Sequence, residues 1–494
     1  MAEKRKYSTQ IESPDLELAS GFWSSVESLR GHIDTGDYKH LVLGLLFTRA
    51  LSGSGSQKAG LHFREEESWF RILSASDAGG MIPAIEAAFR NISVVLNSSY
   101  PCECYKSPAE SNTIREMVNL INGLRSSESG QNSLPEVFGY CLERFALSEG
   151  KTGGEFCTPA PIRDLLVKTL LPLEGSVYDP CCGTGGLLAK AWLRVQETHD
   201  VYPRLLLSGQ ESNLATWRLC KMNLALRGIP CDLGPHAADT FKSDHHAALK
   251  SDYVIANPPF NAEDWAVGSS QKNWMFGRPP ASNANFAWIQ HAIDRLAPHG
   301  IAAISMSNGA LSSNTCGEGE IRRRIVDADL VDCIIALPAN LFPRTRISAS
   351  IWILARDKKE CIAQGTRLRN RQRKTLFIDA QQMGRLVDRS HRVLDENELE
   401  KIAAVYHAWR GISPESGPYA DESGFCRSCT TDEIAENDYL LTVSRYIGTA
   451  PARKEEPASV SIGNLVSKLD EQFKESTRLE RIVRERLGRF GYDL

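Results

Sequence analysis

The sequence predicts an α/β protein: a mostly parallel sheet with helices on both faces, set between a helical N-terminal domain and a helical C-terminal tail. Three observations predict it. Over the first roughly 125 residues apolar side chains recur at helical spacing, as in FWSSVESLRGHID, where Phe22, Val26, Leu29 and Ile33 share a face. From about Glu149 short apolar runs alternate with helical stretches, the pattern of strands joined by crossover helices. From Ser461 to Phe490 one long charged helix carries an apolar stripe, Ile462, Val466, Leu469 and Phe473, resumed after a break by Leu479, Val483, Leu487 and Phe490. The expected boundaries are 1–130 for the helical domain, 131–390 for the sheet domain and 391–494 for the C-terminal region.

Each element follows from its local pattern. In the first domain Tyr38 leads into LVLGLLF, Leu41 to Phe47, an apolar run far too short to span a bilayer. SSESGQNS, from Ser126 to Ser133, reads as a linker, and a short helix from Leu134 to Leu147 follows it. The strands are SVYDP, RLLLSGQE, DYVIANPPF, GIAAISMSNG, LVDCIIALP, ASIWILARD and KTLFIDA. The last two, separated by a polar stretch, are expected to form a hairpin-like edge. After Arg389 come a helix from Asp395 to Trp409, a Gly/Pro/Ser-rich loop, TDEIAENDYLLTVSRYI and the linker GTAPARKEEPAS. The stripe of the final helix fits either packing on its own domain or a coiled-coil-like contact with a partner.

Composition narrows the class. At 494 residues, with 42% hydrophobic and 24% charged, the chain has ample material for a buried core. A net charge of −4 excludes a uniformly basic nucleic-acid coat but not a local basic patch. The start MAEKRKYSTQ has no apolar h-region, so the 13 cysteines are expected as reduced thiols in a cytoplasmic protein, with no membrane partner.

The chemistry begins at Asp179-Pro180-Cys181-Cys182-Gly183-Thr184-Gly185-Gly186, where a strand ends and a helix starts. Glycines at the carboxyl edge of a sheet let the backbone approach a ligand closely, and a carboxylate there suits a charged amino-acid group or a ribose hydroxyl. About 30 residues later the strand LLLSGQE ends in Glu211, the placement of an acid that binds the two hydroxyls of a ribose. Asp239 in AADTF, near the end of a third strand, is a candidate for the amino group of an adenine ring, with Asp244 close by. A phosphate loop requires G-x-x-x-x-G-K-[ST]; Gly150-Lys151-Thr152 has Phe145 at the first glycine position, so ATP hydrolysis is not expected.

The strand DYVIA runs into Asn257-Pro258-Pro259-Phe260. An exocyclic amine is a poor nucleophile because its lone pair is delocalised into the ring. Two acceptors bonded to its N–H groups localise that pair and aim it at a methyl donor. Asn257 offers a side-chain carbonyl and Pro258 a backbone carbonyl in a turn with restricted dihedrals. Phe260 offers a face on which a base stacks. A plain strand-terminating turn gives the same four letters, but not downstream of the Gly-rich motif.

Taken together, these segments resemble the modification (M) subunit of type I restriction-modification systems, an adenine-N6 DNA methyltransferase. The resemblance runs over nearly the whole chain, through GKTGGEFCTPAPIRDLLV, YDPCCGTGGLL, GQESNLATWRLCKMNLALRGI, ANPPFNAEDW, SNANFAWIQHAIDRLAPHGIAAISMSNGAL, IIALPANLFPRTRISASIWIL and EIAENDYLLTVSRYI. It implies a Rossmann-like S-adenosylmethionine-dependent methyltransferase sheet. It places Glu155, Phe156, Cys157, Thr158, Pro159 and Ala160 beside Asp179, Gly183, Thr184 and Gly185 around the cofactor, with Glu211 on the ribose. It assigns Asn257, Pro258, Pro259 and Phe260 to a target adenine flipped out of the duplex, since its amine is otherwise base-paired. Cys181 stands where the family has Ala, and Cys157 where an aromatic residue is usual.

Reading a DNA sequence takes side chains at base edges, and the roughly 100 residues after the sheet are too few for a bipartite recognition region. The resemblance implies that a specificity (S) subunit reads double-stranded DNA, joined by a second copy of this chain and by a restriction (R) subunit for cleavage; the final helix is the docking candidate. RLRNRQRK, with five positive charges from Arg367 to Lys374, and Arg322-Arg323-Arg324 either contact phosphates or are solvated surface. Cys426-x-x-Cys429 reads as two free thiols and no metal is expected. Other readings are an amino methyltransferase acting on RNA or on a protein glutamine, and a catalytically silent scaffold.

Overall fold

The computed structural model describes residues 14–31, 35–52, 69–75, 78–101, 108–124, 133–148, 158–199, 204–263, 265–266, 273–342, 348–363, 366–387, 391–412 and 418–448, with scattered helical positions between 469 and 484. By its contacts the chain falls into two compact units, Met1–Glu422 with Cys426–Ile447, and Ser423–Phe425 with Gly448–Leu494.

Among the described residues six helices open the first unit: α1 (Pro14–Leu29), α2 (Thr35–Leu51), α3 (Trp69–Ser74), α4 (Ala78–Leu96), α5 (Pro108–Gly123) and α6 (Leu134–Ser148). The LVLGLLF run explains their arrangement. Leu41, Val42, Leu43, Leu45, Leu46 and Phe47 are all fully buried, so α2 is apolar all round and sits at the centre of the bundle. Gly44 lets α4 come close: a Cβ there would lie 2.5 Å from the Phe89 ring. Among the described residues no helix is long and apolar enough to cross a membrane.

The sheet region alternates as its sequence predicts: α7 (Ala160–Leu170), β1 (Glu174–Asp179), α8 (Gly186–His199), β2 (Arg204–Gly209), α9 (Leu214–Leu226), β3 (Cys231–Asp232), β4 (Ser251–Ala256), α10 (Asn285–Arg295) and β5 (Leu296–Ser307). There follow α11 (Glu318–Asp327), β6 (Val331–Ala336), β7 (Ala349–Ala355), β8 (Cys361–Ala363), β9 (Thr366–Leu368), β10 (Lys374–Asp379), β11 (Arg385–Leu386), β12 (Arg392–Val393), α12 (Glu396–Arg410), β13 (Cys426–Thr430) and α13 (Thr431–Glu436). Among the described residues nine strands form one sheet in the order β13-β10-β6-β7-β5-β4-β1-β2-β3. β1, β2, β3, β4 and β5 pair in parallel, as do β6 and β10; β7 runs antiparallel to both its neighbours, and β13 antiparallel to β10. The strand order changes direction between β1 and β4, which opens a crevice at their carboxyl ends.

The expected hairpin of ASIWILARD with KTLFIDA does not form. Every residue of β7 is buried, so it belongs in the sheet interior, between β5 and β6. The polar stretch after it makes its own β8–β9 hairpin. KTLFIDA is not the edge either, because β13 covers it. The SSESGQNS linker, apart from Ser133, lies outside the described residues. So do most of Ser461 to Phe490, where the described positions between 469 and 484 are helical.

Polar contacts tie α12 to the sheet region. Lys168 of α7, itself buried, bridges Glu396 at 2.7 Å and Glu400 at 3.3 Å. Asp332 of β6, wholly buried, accepts from the Tyr406 hydroxyl of α12 at 2.7 Å and from Arg371 Nε at 3.2 Å. Burial alone would raise its pKa, but the charges of Arg371, Lys358 and Arg410 outweigh burial and hold the carboxyl below its ordinary value. Asp332→Ala leaves Arg371 buried without its counter-charge and should cost about 3–5 kcal/mol of stability, against about 1.5–3 kcal/mol for Tyr406→Phe, in urea unfolding followed by circular dichroism.

Candidate active site

The carboxyl ends of β1, β2 and β4 deliver the residues that the sequence singles out. Asp179 ends β1, opposite Gly209 of β2 in the parallel register, and is fully buried. Its Oδ1 accepts the Cys181 backbone N–H at 3.0 Å, whereas Oδ2 is buried and, among the described residues, without a hydrogen-bond partner. Burial pushes this carboxyl up to about 7, opposed by the hydrogen bonds from Cys181 and reinforced by the Glu211 charge. An orphaned carboxylate oxygen in that position fits a cationic group such as the ammonium of an amino acid.

The Gly-rich turn is fixed to the end of β2. Cys182 N–H donates to Gln210 O at 2.9 Å, and Gln210 N–H donates to Asp179 O at 3.0 Å. Gly183 (φ +55°) and Gly185 (φ +78°) occupy the left-handed region, and a Cβ at Gly185 would sit 2.8 Å from Cys220 Sγ of α9. Glu211 accepts from Gly183 N–H at 3.1 Å and from Asn213 N–H at 2.6 Å. Burial raises its pKa, and those bonds with Ser212 oppose the rise. Thr184, buried, is held through its carbonyl by Asn223 at 2.7 Å.

Asp239 is not on a strand: β3 is only Cys231–Asp232, and Asp239 lies in the loop that follows. Gln210 brings the loop to the site. Its amide nitrogen donates to Ala238 O at 3.1 Å and Ser243 O at 2.9 Å, and its oxygen accepts from His245 N–H at 3.0 Å. Asp239 Oδ1 accepts from Phe241 N–H at 2.9 Å, and Lys242 stands 3.3 Å from Oδ2.

Asn257 and Pro258 follow β4 directly, Pro258 buried and Asn257 half-buried. Asn257 Oδ1 accepts from the Ser305 hydroxyl of β5. One cavity of about 500 Å³ is lined by Glu211, Asp239, Asn257 and Pro259 together with Cys181 and three aromatic side chains, Phe241, Trp265 and Trp288. The rings form a cluster, Phe241 lying 4.3 Å from Trp288 and 5.3 Å from Trp265 between centroids. Phe260 stands apart from this lining, edge-on to Phe342 at 5.1 Å.

Thr158 and Pro159 precede α7, and Ala160 is its first residue. All three are half-buried outside the cavity lining. The α7 first turn neighbours the Gly-rich motif, since a Cβ at Gly186 would meet Arg163 at 3.7 Å. Glu155, Phe156 and Cys157 lie outside the described residues.

Several members of the two basic clusters pair within the chain, mostly at the surface. The buried Arg322 guanidinium donates to Tyr439 O at 2.8 Å and Ser313 O at 2.6 Å, while Arg323 and Arg324 pair with Glu320. Arg367, Arg371 and Arg373 pair with Glu360, Asp332 and Asp432. Among the described residues no three His, Cys, Asp or Glu side chains gather as metal ligands. Cys426 and Cys429 lie three apart on β13, so they point to opposite faces of the sheet. Gln210, Phe241, Trp265, Trp288 and Ser305 are not among the residues the sequence singles out, and they carry little or no local signal there.

Comparison with known proteins follows the same line. The N-6 DNA methylase family matches residues 129–455. The Type I restriction enzyme HindI methylase subunit of Haemophilus influenzae is 40% identical over 375 residues, spanning 75% of this chain and 81% of that protein. The Type I restriction enzyme MjaIX methylase subunit of Methanocaldococcus jannaschii is 29% identical over 528 aligned positions, 96% of this chain and 92% of that protein. A solved type I restriction-modification system methyltransferase subunit from Streptococcus thermophilus shares the fold, with a TM-score of 0.73 at 23% identity, covering 88% of this chain and all of that one.

The folded chain holds the Asp179 proton up to about pH 7, whereas an exposed aspartate releases it near about 4. The ligand-free fold therefore loses stability as pH rises through that window. Binding of an ammonium group requires the ionised form, so affinity should climb as pH rises from about 5.5 to about 7.5, approaching tenfold per pH unit at the acid end. Calorimetric titration with S-adenosylmethionine checks this. Asp179→Asn should flatten the profile and weaken binding at the upper end by about 10- to 100-fold.

Proposed function

The chain belongs to the N-6 DNA methylase family, alongside the methylase subunits of type I restriction enzymes, and from that premise we propose the following reaction. It transfers a methyl group from S-adenosylmethionine to N6 of adenine in double-stranded DNA. The observation that carries this reading is a juxtaposition: the acid suited to a ribose, Glu211, and the amide suited to an exocyclic amine, Asn257, line one cavity.

Bound there, S-adenosylmethionine would supply an electrophilic methyl group on a sulfonium, whose sulfur would keep the electron pair of the C–S bond when the methyl group is transferred. The chain's residues do the rest. Asp179 Oδ2 takes the ammonium, Glu211 accepts from the ribose hydroxyls, and Asp239 accepts from the amino group of the cofactor's adenine. Thr158, Pro159 and Ala160, with Glu155, Phe156 and Cys157, border the cofactor. The target amine donates one N–H to Asn257 Oδ1 and one to the Pro258 carbonyl, which directs its lone pair at the methyl group. Pro259 shapes the wall beside them, and Phe260 stacks on the flipped base. The amine sheds its proton after transfer, so the turn needs no strong base.

The partners are those of the type I restriction enzymes whose methylase subunits this chain is similar to. A specificity subunit reads the DNA, a second copy of this chain serves the other strand, and a restriction subunit joins for cleavage, all in the cytoplasm. Leu469 and Phe473, four apart on helical backbone, are 48% and 64% exposed and offer an apolar stripe for docking.

Transfer of a labelled methyl group to DNA, measured with and without the specificity subunit, tests the reading. Transfer to adenine only in the complex, falling at least about a hundredfold in Asn257→Ala, is the expected result. Undiminished transfer in that variant removes Asn257 from the reaction. Transfer to RNA or protein instead of DNA replaces the substrate.

A further inference from the structure

One strand grips the Asn257–Asn261 turn at both ends. Ser305 and Ser307 lie two residues apart on β5, so their side chains emerge on the same face. Ser305 donates its hydroxyl proton to Asn257 Oδ1. Ser307 donates to Asn261 Oδ1 at 3.2 Å, an oxygen that also accepts from Asn285 Nδ2 at 2.8 Å. Asn285 Oδ1 in turn accepts the Asn261 backbone N–H at 3.0 Å, which fixes Asn261 in the left-handed region at φ +53°. Ser305, Ser307 and Asn285 are all buried. Hydroxyls inside an apolar run such as IAAISMS are unfavourable unless bonded, and these two are bonded to the turn that the reaction uses.

A carboxamide has two faces of opposite sense: an acceptor oxygen and a donor NH₂. Rotated by half a turn, Asn257 would present donors to an amine that itself donates. The oxygen has two lone pairs, and Ser305 occupies one. We propose that Ser305 is a positioning residue for methyl transfer: its hydroxyl holds the Asn257 carboxamide oxygen in place, leaving the second lone pair for the target amine. Ser307, through Asn261 and Asn285, fixes the far end of the same turn, so that the Asn257 oxygen and the Pro258 carbonyl sit between two anchors. This rests on the reading that Asn257 receives the amine.

The test uses the methylase–specificity complex and single-turnover methyl transfer at saturating cofactor and DNA. Ser305→Ala should lower the rate about tenfold, the worth of one such hydrogen bond, while the Kd for S-adenosylmethionine and the KM for DNA stay within about twofold. Ser305→Thr, which keeps a hydroxyl, should recover most of the rate. The double variant Ser305→Ala, Asn257→Ala should be no slower than Asn257→Ala alone, because the serine acts through the asparagine. A wild-type rate in Ser305→Ala overturns the proposal, as does a matching loss of cofactor affinity or a double variant with fully additive losses. If Asn257→Ala itself retains activity, the underlying assignment of Asn257 fails; if it is inactive while Ser305→Ala is unimpaired, only the role of Ser305 fails.

Discussion

Parallel strands release all their carboxyl-end turns along one edge of a sheet, and the crossovers leave from β1 and β4 in opposite directions. Such a switch point is where a crevice opens at the carboxyl ends of the strands. Pro180 and Cys181 after β1, Glu211 after β2 and Asn257 after β4 line one cavity at that edge. The same constraint explains why the site is assembled from residues far apart in sequence yet next to one another in strand order, β4 beside β1 and β1 beside β2.

Two buried carboxylates share this edge, and they are handled differently. Glu211 has its oxygens occupied by backbone N–H groups of the turn and of the residues after it, so it also acts as a brace between β2 and the Gly-rich turn. Asp179 retains one oxygen with no hydrogen-bond partner among the described residues. The site thus combines a settled acid that shapes the pocket with an unsettled one that gains most from a cationic ligand. Aromatic side chains wall the other flank, lowering the local dielectric and strengthening every charge contact inside.

Much of this was legible in the sequence wherever a strand ends abruptly in a residue of distinct chemistry. Asp179, Glu211 and Asn257 each close an apolar run, and the run tells which edge the residue reaches. The N-terminal helices were legible from spacing alone. What was not legible depends on partners distant in the chain. KTLFIDA reads as a strand, but its seat between β6 and β13 is set by β13, whose sequence CRSCT has no apolar alternation. Arg367, Arg371 and Arg373 read as surplus charge until Glu360, Asp332 and Asp432 are brought beside them. Ser305 gave only the faint signal of a hydroxyl in an apolar strand, and Gln210 and Trp265 gave almost none, because their work is to hold loops that the sequence does not fold.

The reversed strand β7 has a consequence for how the chain is made. It enters between β5 and β6 after both have been synthesised, so they never pair with each other. Until residues 349–355 leave the ribosome, β5 has an open edge and β6 lacks its neighbour on that side. The serines that hold the Asn257 turn stand on that half-finished strand. Birth order therefore runs opposite to spatial order: the cofactor turns emerge first, the strand that steadies the amine-binding turn emerges later, and its lateral support arrives later still. A nascent chain stalled before Ala349 leaves one edge of β5 and both edges of β6 unpaired, and such edges are templates for association with other chains.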